Sequence, residues 1–141
     1  MKYNDFMNLK DELLKNDYSL IASNGYYSFD KGIKPVLMKV NEKRDYFKDL
    51  EVVDRVIGKA SAMLLVYSGV KHVYGLLLSE AGKDILEKYH IPYQYDELVD
   101  YIENDKRDGM CPMELTVKDI DDLEAAYNAL NDKVKQLMSN K

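Results

Sequence analysis

Two short segments of the chain contain the side chains that could do chemistry. They are residues 54–59 and residues 108–114. Together they offer carboxylates, an amine and a thiol, the groups that serve as general acid, general base or nucleophile. The candidate catalytic residues are Asp54, Lys59, Cys111 and Glu114. We therefore predict a functional site where these two segments meet.

Lys59 stands near the start of a strongly apolar stretch. A lysine in that place could bind an anion or, if desolvated, act as a base or nucleophile. The alternative is a structural ion pair with Asp54, Asp108 or Glu114, since an isolated buried charge is too costly to leave unpaired. Gly58 beside it leaves room for a ligand or, equally, for close packing of another backbone.

Cys111 precedes a proline that suits the first position of a helix. The positive end of a helix dipole would favour the reactive thiolate there. No histidine lies nearby in the sequence to act as its base, and free cysteine is among the most buried residue types. We therefore favour a small buried side chain over a nucleophile.

The remaining candidates are ligand-binding residues with equally good structural roles. Ser79 and Glu80 end a predicted strand, where ligands of open α/β sheets bind, but Ser79 also suits a helix N-cap. Asp108, Gly109 and Met110 predict a turn first and a site loop second.

A protein-bound metal is not expected. A structural zinc site needs four Cys or His ligands, and the chain offers Cys111, His72 and His90. None of these lies at a ligand-pair spacing from another. The sequence therefore predicts neither a metal nor another cofactor.

The first half of the chain is predicted to form a helix, a hairpin, a second helix and a strand. Asn24-Gly25 favours a primed turn, because both residues tolerate positive φ. The predicted ranges are 5–15 for the first helix, 18–23 and 26–29 for the hairpin strands, 35–41 for the second helix and 50–53 for the strand.

The next predicted helix is almost wholly apolar from Val56 to Val66. Asp54 can cap its start, and Gly69 follows where a left-handed cap would end it. A helix that is apolar all round is buried on more than one side. Its polar residues crowd into the first two turns, so its start must reach water, a partner or a ligand.

The second half begins with a strand, a helix and a strand, which is a βαβ unit with parallel strands. A turn of helix, a polar loop and two further helices follow. The predicted ranges are 72–78, 80–89, 92–98, 99–102, 103–109, a short helix from 112 and a C-terminal helix over 121–139. An apolar stripe on the last helix favours packing on its own domain over a dimer seam. The stripe consists of Leu123, Tyr127, Leu130, Val134 and Leu137.

Composition bounds the class of protein. The 141 residues, 46% hydrophobic and 32% charged, fit one globular domain over residues 1–141. A net charge of −5 argues against nucleic-acid binding. One cysteine excludes an internal disulfide, and no signal peptide or membrane span is predicted, so we expect a cytoplasmic protein.

Residues 54–62 and 108–114 together resemble an uncharacterised prokaryotic family. That family is a domain of unknown function assigned to the cytidine deaminase-like fold, and the likeness covers roughly residues 17–120. Residues 32–35, Gly69-Val70 and Ser79-Glu80 fit it as well. The resemblance implies a three-layer α/β domain, a mixed sheet with helices on both faces. It also implies a pocket where two helix starts meet at the carboxyl edge of the sheet.

The chain departs from working zinc deaminases at their metal motifs. Those enzymes carry His-x-Glu at the start of the buried helix and Pro-Cys-x-x-Cys at the start of the next one. Here residues 54–59 and residues 79–82 fill these places, without a metal ligand set. The chain is therefore not expected to be a zinc-dependent deaminase.

Our leading hypothesis is a non-zinc protein that binds a nucleotide-like or other anionic small molecule, with room for non-metal chemistry. Two helix N-termini with Lys59 nearby would suit an anionic group. The alternative is a catalytically inactive module for oligomerisation or partner binding, which the stripe over residues 123–137 supports. A third reading is a metalloenzyme that borrows ligands from a second subunit.

Overall fold

Strands and helices alternate along the chain in the computed structural model, which describes residues 3–139 and their side chains from residue 7. The strands are β1 (Leu20–Ala22), β2 (Tyr27–Ser28), β3 (Glu51–Ile57), β4 (His72–Ser79) and β5 (Tyr93–Val99). The helices are α1 (Tyr3–Asn16), α2 (Lys34–Glu42), α3 (Lys59–Tyr67), α4 (Glu80–Lys88), α5 (Pro112–Val117) and α6 (Leu123–Ser139). No helix in this part of the chain is long and apolar enough to cross a membrane.

The five strands form one mixed sheet in the order β2-β1-β3-β4-β5. β1 pairs antiparallel with both β2 and β3, whereas β3, β4 and β5 run parallel. Helices α3 and α4 make the two connections between the parallel strands. The predicted βαβ unit is thereby confirmed, and the sheet ends in β5 as an edge strand.

Helices cover both faces of the sheet. Helix α1 packs on one face, where Leu13 contacts a small cluster with Ile21, Val53 and Tyr74. The other helices share the main core on the opposite face, with α3 at its centre. Helix α3 contacts α2, α4, α5 and α6, and its residues 60–65 are buried. The prediction of a helix buried on several sides is confirmed.

The predicted start of this buried helix was wrong. Strand β3 continues through Asp54 to Ile57, and the helix begins only at Lys59 with Gly58 as its N-cap. The β-branched residues between them suit a strand, and pairing with β4 as far as Leu78 satisfies their backbone groups. Asp54 is therefore a strand residue rather than a helix cap.

The hairpin between β1 and β2 is confirmed, but its turn differs from the prediction. Of the two predicted turn residues, Asn24 and Gly25, only Gly25 has a positive φ (96°). The Ala22 amide donates a hydrogen bond to the Tyr26 carbonyl. The loop thus has three residues and ends in a left-handed glycine, a common hairpin type. The backbone of Asn24 does not have a positive φ, and its side-chain oxygen accepts a hydrogen bond from the Tyr26 amide.

The C-terminal elements follow the prediction with one exception. Residues 99–102 form no helical turn, because they leave β5 and lead into a short hairpin. Helix α6 starts after Asp122, whose carboxylate accepts a hydrogen bond from the Ala125 amide. Its apolar stripe packs into the main core through Leu130 and Val134, while Leu137 remains 40% exposed.

Candidate functional site

The start of α3 is closed by the carboxylate of Glu114. One oxygen accepts a hydrogen bond from the Lys59 amide at 2.7 Å, and the other accepts from the Ala60 amide at 2.8 Å. Only 7% of Glu114 is exposed. Burial raises the pKa of its carboxyl group, against the opposite effect of the two amides and of the Lys59 charge. Helix α5, with Pro112 in its first turn, carries this carboxylate to its position.

Two glycines create the space for this contact. A Cβ atom on Gly58 would lie 2.2 Å from a carboxylate oxygen of Glu114. A Cβ atom on Gly82 would lie 3.0 Å from the Gly58 carbonyl carbon. Neither glycine has a positive φ, so both are needed for room rather than for backbone conformation. The starts of α3 and α4 therefore touch, and Glu114 fills the space beside them.

Lys59 binds α5 rather than a carboxylate. Its ammonium group donates to the Lys118 carbonyl at 3.0 Å, at the C-terminal end of α5. A cation at a helix C-terminus interacts favourably with the helix dipole. The side-chain ion pair with Asp54, Asp108 or Glu114, the structural alternative for Lys59, is not formed in the described part of the chain.

Asp54 lies apart from the helix start, in the middle of β3. Its register partners are Leu20 and Gly75, and residues opposite each other in a sheet share a face, so its side chain points into the main core with Leu20. One carboxylate oxygen accepts from the Val56 amide at 3.2 Å, and the other has no hydrogen-bond partner. Burial raises the pKa of Asp54 to about 7.

Ser79 caps α4, which confirms its structural role. Its hydroxyl group is buried and accepts a hydrogen bond from the Gly82 amide at 3.0 Å. Glu80 follows in the first turn of α4 and is exposed. Ser79 thus contributes to the contact between the two helix starts by fixing the first turn of α4.

The segment before α5 forms a hairpin whose polar groups hydrogen-bond to one another. Glu103 and Met110 form a β-bridge, and the Asn104 amide donates to the Gly109 carbonyl. The Asp108 carboxylate is exposed and accepts a hydrogen bond from the Asn104 side chain at 2.8 Å. Asp108-Gly109 is therefore a turn, as its sequence predicts.

Cys111 is half-buried at the N-cap of α5 and makes no side-chain capping bond. Its amide donates to the Ile102 carbonyl at 2.8 Å, which closes the hairpin. The thiol is thus neither fully buried, as we favoured, nor paired with a histidine in the described residues.

The structure brings together only part of the predicted site. Gly58, Lys59 and Glu114 meet at the start of α3, while Asp54 and the turn at Asp108 do not join them. Gly82 was missed, although a glycine inside a helix is itself a signal because it lowers helix stability.

A cleft lies elsewhere, beside the end of β5. Its volume is about 750 Å³, and none of the predicted site residues lines it. Val56 and Leu77 belong to its lining, together with residues 97–105 and Arg107. The signal for it in the sequence is the repeated occurrence of acidic residues after Tyr95.

The site does not fit a zinc ion. No group of three or more His, Cys, Asp or Glu side chains that could hold a metal occurs among residues whose side chains are described. The starts of α3 and α4 are in backbone contact at Gly58 and Gly82, which leaves no room for an ion between them. Glu114 occupies the remaining space beside them.

Comparison with known proteins adds a family. The model described as "TM1506: Domain of unknown function (DUF1893)" matches residues 8–134. The crystal structure of a DUF1893 family protein, TM1506 from Thermotoga maritima, at 2.70 Å is similar to this chain with a TM-score of 0.85. The two sequences are 26% identical, and the match covers 94% of this chain and 92% of that one. No curated protein matches the chain. With its matched region spanning nearly the whole chain, the protein belongs to the DUF1893 family.

Proposed function

We propose that this DUF1893 protein has a cytidine deaminase-like fold whose catalytic corner is closed, and that it acts by binding a partner. The fold assignment is supported by the element order, which is the order that the sequence resemblance implies, and by helices on both faces of a mixed sheet. The closed corner is the contact between the starts of α3 and α4 with Glu114 beside it.

The Glu114 carboxylate is the observation that carries the proposal. An anionic ligand at a helix N-terminus uses the free amides of the first turn. Here the Lys59 and Ala60 amides already bind Glu114, which is 7% exposed. A phosphate would have to displace a carboxylate of the same chain, which binds without the loss of translational freedom that a separate ligand incurs.

The leading hypothesis from the sequence, a nucleotide-like or other anionic small molecule, therefore becomes the second candidate. Its support is that the corner has the geometry to hold an anion, since a carboxylate binds there. Against this candidate, the Lys59 ammonium group donates a hydrogen bond to the Lys118 carbonyl and does not point to a vacant anion site.

Partner binding has support at the cleft beside β5. This cleft is open, has an apolar floor that includes Val56 and Leu77, and is rimmed by acidic side chains. The apolar stripe of α6 gives no support to self-association, since Leu130 and Val134 are used in the core of the same chain.

A titration followed by ¹H–¹⁵N correlation spectra separates the two candidates. We expect inorganic phosphate and nucleoside monophosphates at millimolar concentration to leave the Lys59 and Ala60 amide signals unchanged. In Glu114→Gln the side-chain carbonyl can accept from only one of the two amides and the NH2 group cannot accept from the other, so these two signals should shift. Glu42→Gln, which changes an exposed carboxylate on α2, is the matched control and should leave them in place.

Saturable shifts of the Lys59 and Ala60 signals in the unchanged protein, with a dissociation constant below about 1 mM, would show that the anion displaces Glu114. That result would overturn the closed corner and support the small-molecule candidate.

A further inference from the structure

Strand β5 has a free edge. It pairs with β4 on one side, and no backbone hydrogen bond reaches residues 93–99 from the other side within the described part of the chain. The middle of the strand is exposed, with 41% of Tyr95 accessible. An unpaired edge is a template to which another extended chain can add.

Two recesses lie one after the other along this strand. The first is a hollow of about 370 Å³ lined by Tyr74, Tyr93, Gln94 and Tyr95. The second is the 750 Å³ cleft, to which residues 97–105 contribute. The path from Gln94 to Val99 is five residues of extended chain, roughly 17 Å. A segment laid along β5 would therefore pass both recesses.

The polar groups without partners along this path are mostly hydrogen-bond acceptors. The side-chain oxygen of Gln94 is buried and unpartnered in the described structure. Four carboxylates line the cleft, and none of them has an ion pair with a described residue: Glu97, Asp100, Glu103 and Asp105. Arg107 is the one basic side chain in that lining. The surface thus calls for a ligand rich in donors and positive charge.

The same charges argue against a second copy of this chain at the edge. Asp96 is already paired with Lys10 at 2.9 Å, but two β5 strands placed side by side would still bring the Glu97 carboxylates close together, and like charges in adjacent strands are destabilising. Nucleic acid and anionic lipid surfaces are excluded by the same repulsion.

We infer that β5 is a docking edge for an extended, Lys/Arg-containing segment of a partner protein, whose basic side chains reach the cleft carboxylates. The backbone of the segment adds to the free edge of β5, and its basic side chains extend over β5 towards the carboxylates that line the cleft. This inference rests on the proposed partner-binding function and names the chemistry of the partner.

The test uses a short fluorescein-labelled peptide of alternating Lys and Val, and the same peptide with Glu in place of Lys. Fluorescence anisotropy at low ionic strength measures binding to the full chain. We expect the basic peptide to bind and the acidic peptide not to bind. The triple variant Glu97→Gln, Glu103→Gln, Asp105→Asn should bind the basic peptide about tenfold or more weakly.

A matched triple variant controls for net charge. Glu42→Gln, Glu124→Gln and Asp132→Asn remove three exposed carboxylates on α2 and α6, helices that do not pack on β5, and should change the affinity less than about twofold. All six positions are on the surface, so both variants should keep the circular dichroism spectrum of the parent chain. Amide signals of residues 94–99 should shift when the peptide is added.

Equal weakening in the two triple variants would mean that the peptide senses net charge alone, and it would overturn the inference. So would a basic peptide that fails to bind, or amide shifts confined to another surface. These outcomes leave the phosphate titration at Lys59 and Ala60 untouched, so failure of the docking edge and failure of the closed corner are told apart.

Discussion

Asp54 and Glu114 are two buried carboxylates in different surroundings. Glu114 has both oxygens bound to backbone amides of α3. Asp54 has one oxygen bound to the Val56 amide and one with no partner, inside an apolar core. Burying a charged group without full hydrogen bonding is unfavourable, so the neutral acid is the better form of Asp54.

The pH dependence of stability should report this residue. The pKa of Asp54 is about 7 in the folded chain, against 3.8 for a free side chain. Between these values the folded state holds a proton that the unfolded state has lost, so the free energy of unfolding falls as pH rises from about 4 to about 7. Asp54→Asn removes this dependence and should stabilise the chain at pH 8 by roughly 2–4 kcal/mol.

Urea denaturation at a series of pH values measures this difference. Asp119→Asn, at an exposed position, is the matched control and should follow the parent chain at every pH. An Asp54→Asn profile parallel to that of the parent would show that the buried carboxyl titrates alike in both states. Residue types alone could not predict this behaviour, because Asp54 reads equally well as a helix cap before its strand pairing is known.

At the scale of elements, α5 serves as a clamp on the start of α3. Its Glu114 binds two amides of α3, and the Lys118 carbonyl at its other end accepts from the Lys59 ammonium group. A six-residue helix has little stability of its own. These contacts therefore stabilise α5 and α3 together.

Gly58→Ala should break this clamp. The new Cβ atom would lie 2.2 Å from the Glu114 carboxylate, which must move away from both amides. Losing two hydrogen bonds to a charged group should lower the free energy of unfolding by about 3 kcal/mol. Gly109→Ala is the control, because its Cβ atom would approach nothing closer than 3.7 Å. Equal midpoints of urea denaturation for the two variants would contradict the clamp.

Sequence periodicity predicted most helices and strands but not the boundary between β3 and α3. Val52, Val53, Val56 and Ile57 are apolar and β-branched enough for a strand, yet Asp54 between them suits a helix cap equally well. Pairing with β4 decides the boundary, and that pairing is a contact distant in sequence. The family resemblance predicted that the segments of Lys59 and Glu114 would meet. It did not predict that the Glu114 carboxylate would cap the start of α3, because this contact depends on the close approach of Gly58 and Gly82.

At the scale of the whole molecule, the question is whether the apolar side of α6 packs on its own chain or on another subunit. Leu130 is fully buried in the core of its own chain, and Leu137 is 40% exposed. We expect Leu130→Ala to lower the free energy of unfolding by about 2–5 kcal/mol, and Leu137→Ala by less than about 1 kcal/mol. Thermal unfolding followed by circular dichroism measures both variants.

The thermal midpoint of the parent chain should also be independent of protein concentration. A seam between subunits would raise the midpoint as concentration rises, because association stabilises only the folded chains. Such a rise, together with a large effect of Leu137→Ala, would contradict the single-chain role of α6.

The cleft beside β5 could not be predicted from local patterns. Its walls come from β5, from the hairpin that follows and from residues of β3 and β4, so it exists only once these are assembled. The acidic composition of residues 96–105 was visible, but an acidic run is usually an exposed face. Strand pairing places Val56 and Leu77 in register with Glu97, and only this pairing brings two apolar side chains next to the acidic ones.

The cap on α3 comes from far along the chain, and this has a consequence for a protein made from its N-terminus. Glu114 lies 55 residues after the Lys59 amide that it binds. At about 5–20 residues per second, synthesis of that interval takes roughly 3–11 s. During this time the Lys59 and Ala60 amides of the nascent chain have no Glu114 carboxylate to bind, so the start of α3 can be capped only by water or another molecule in solution.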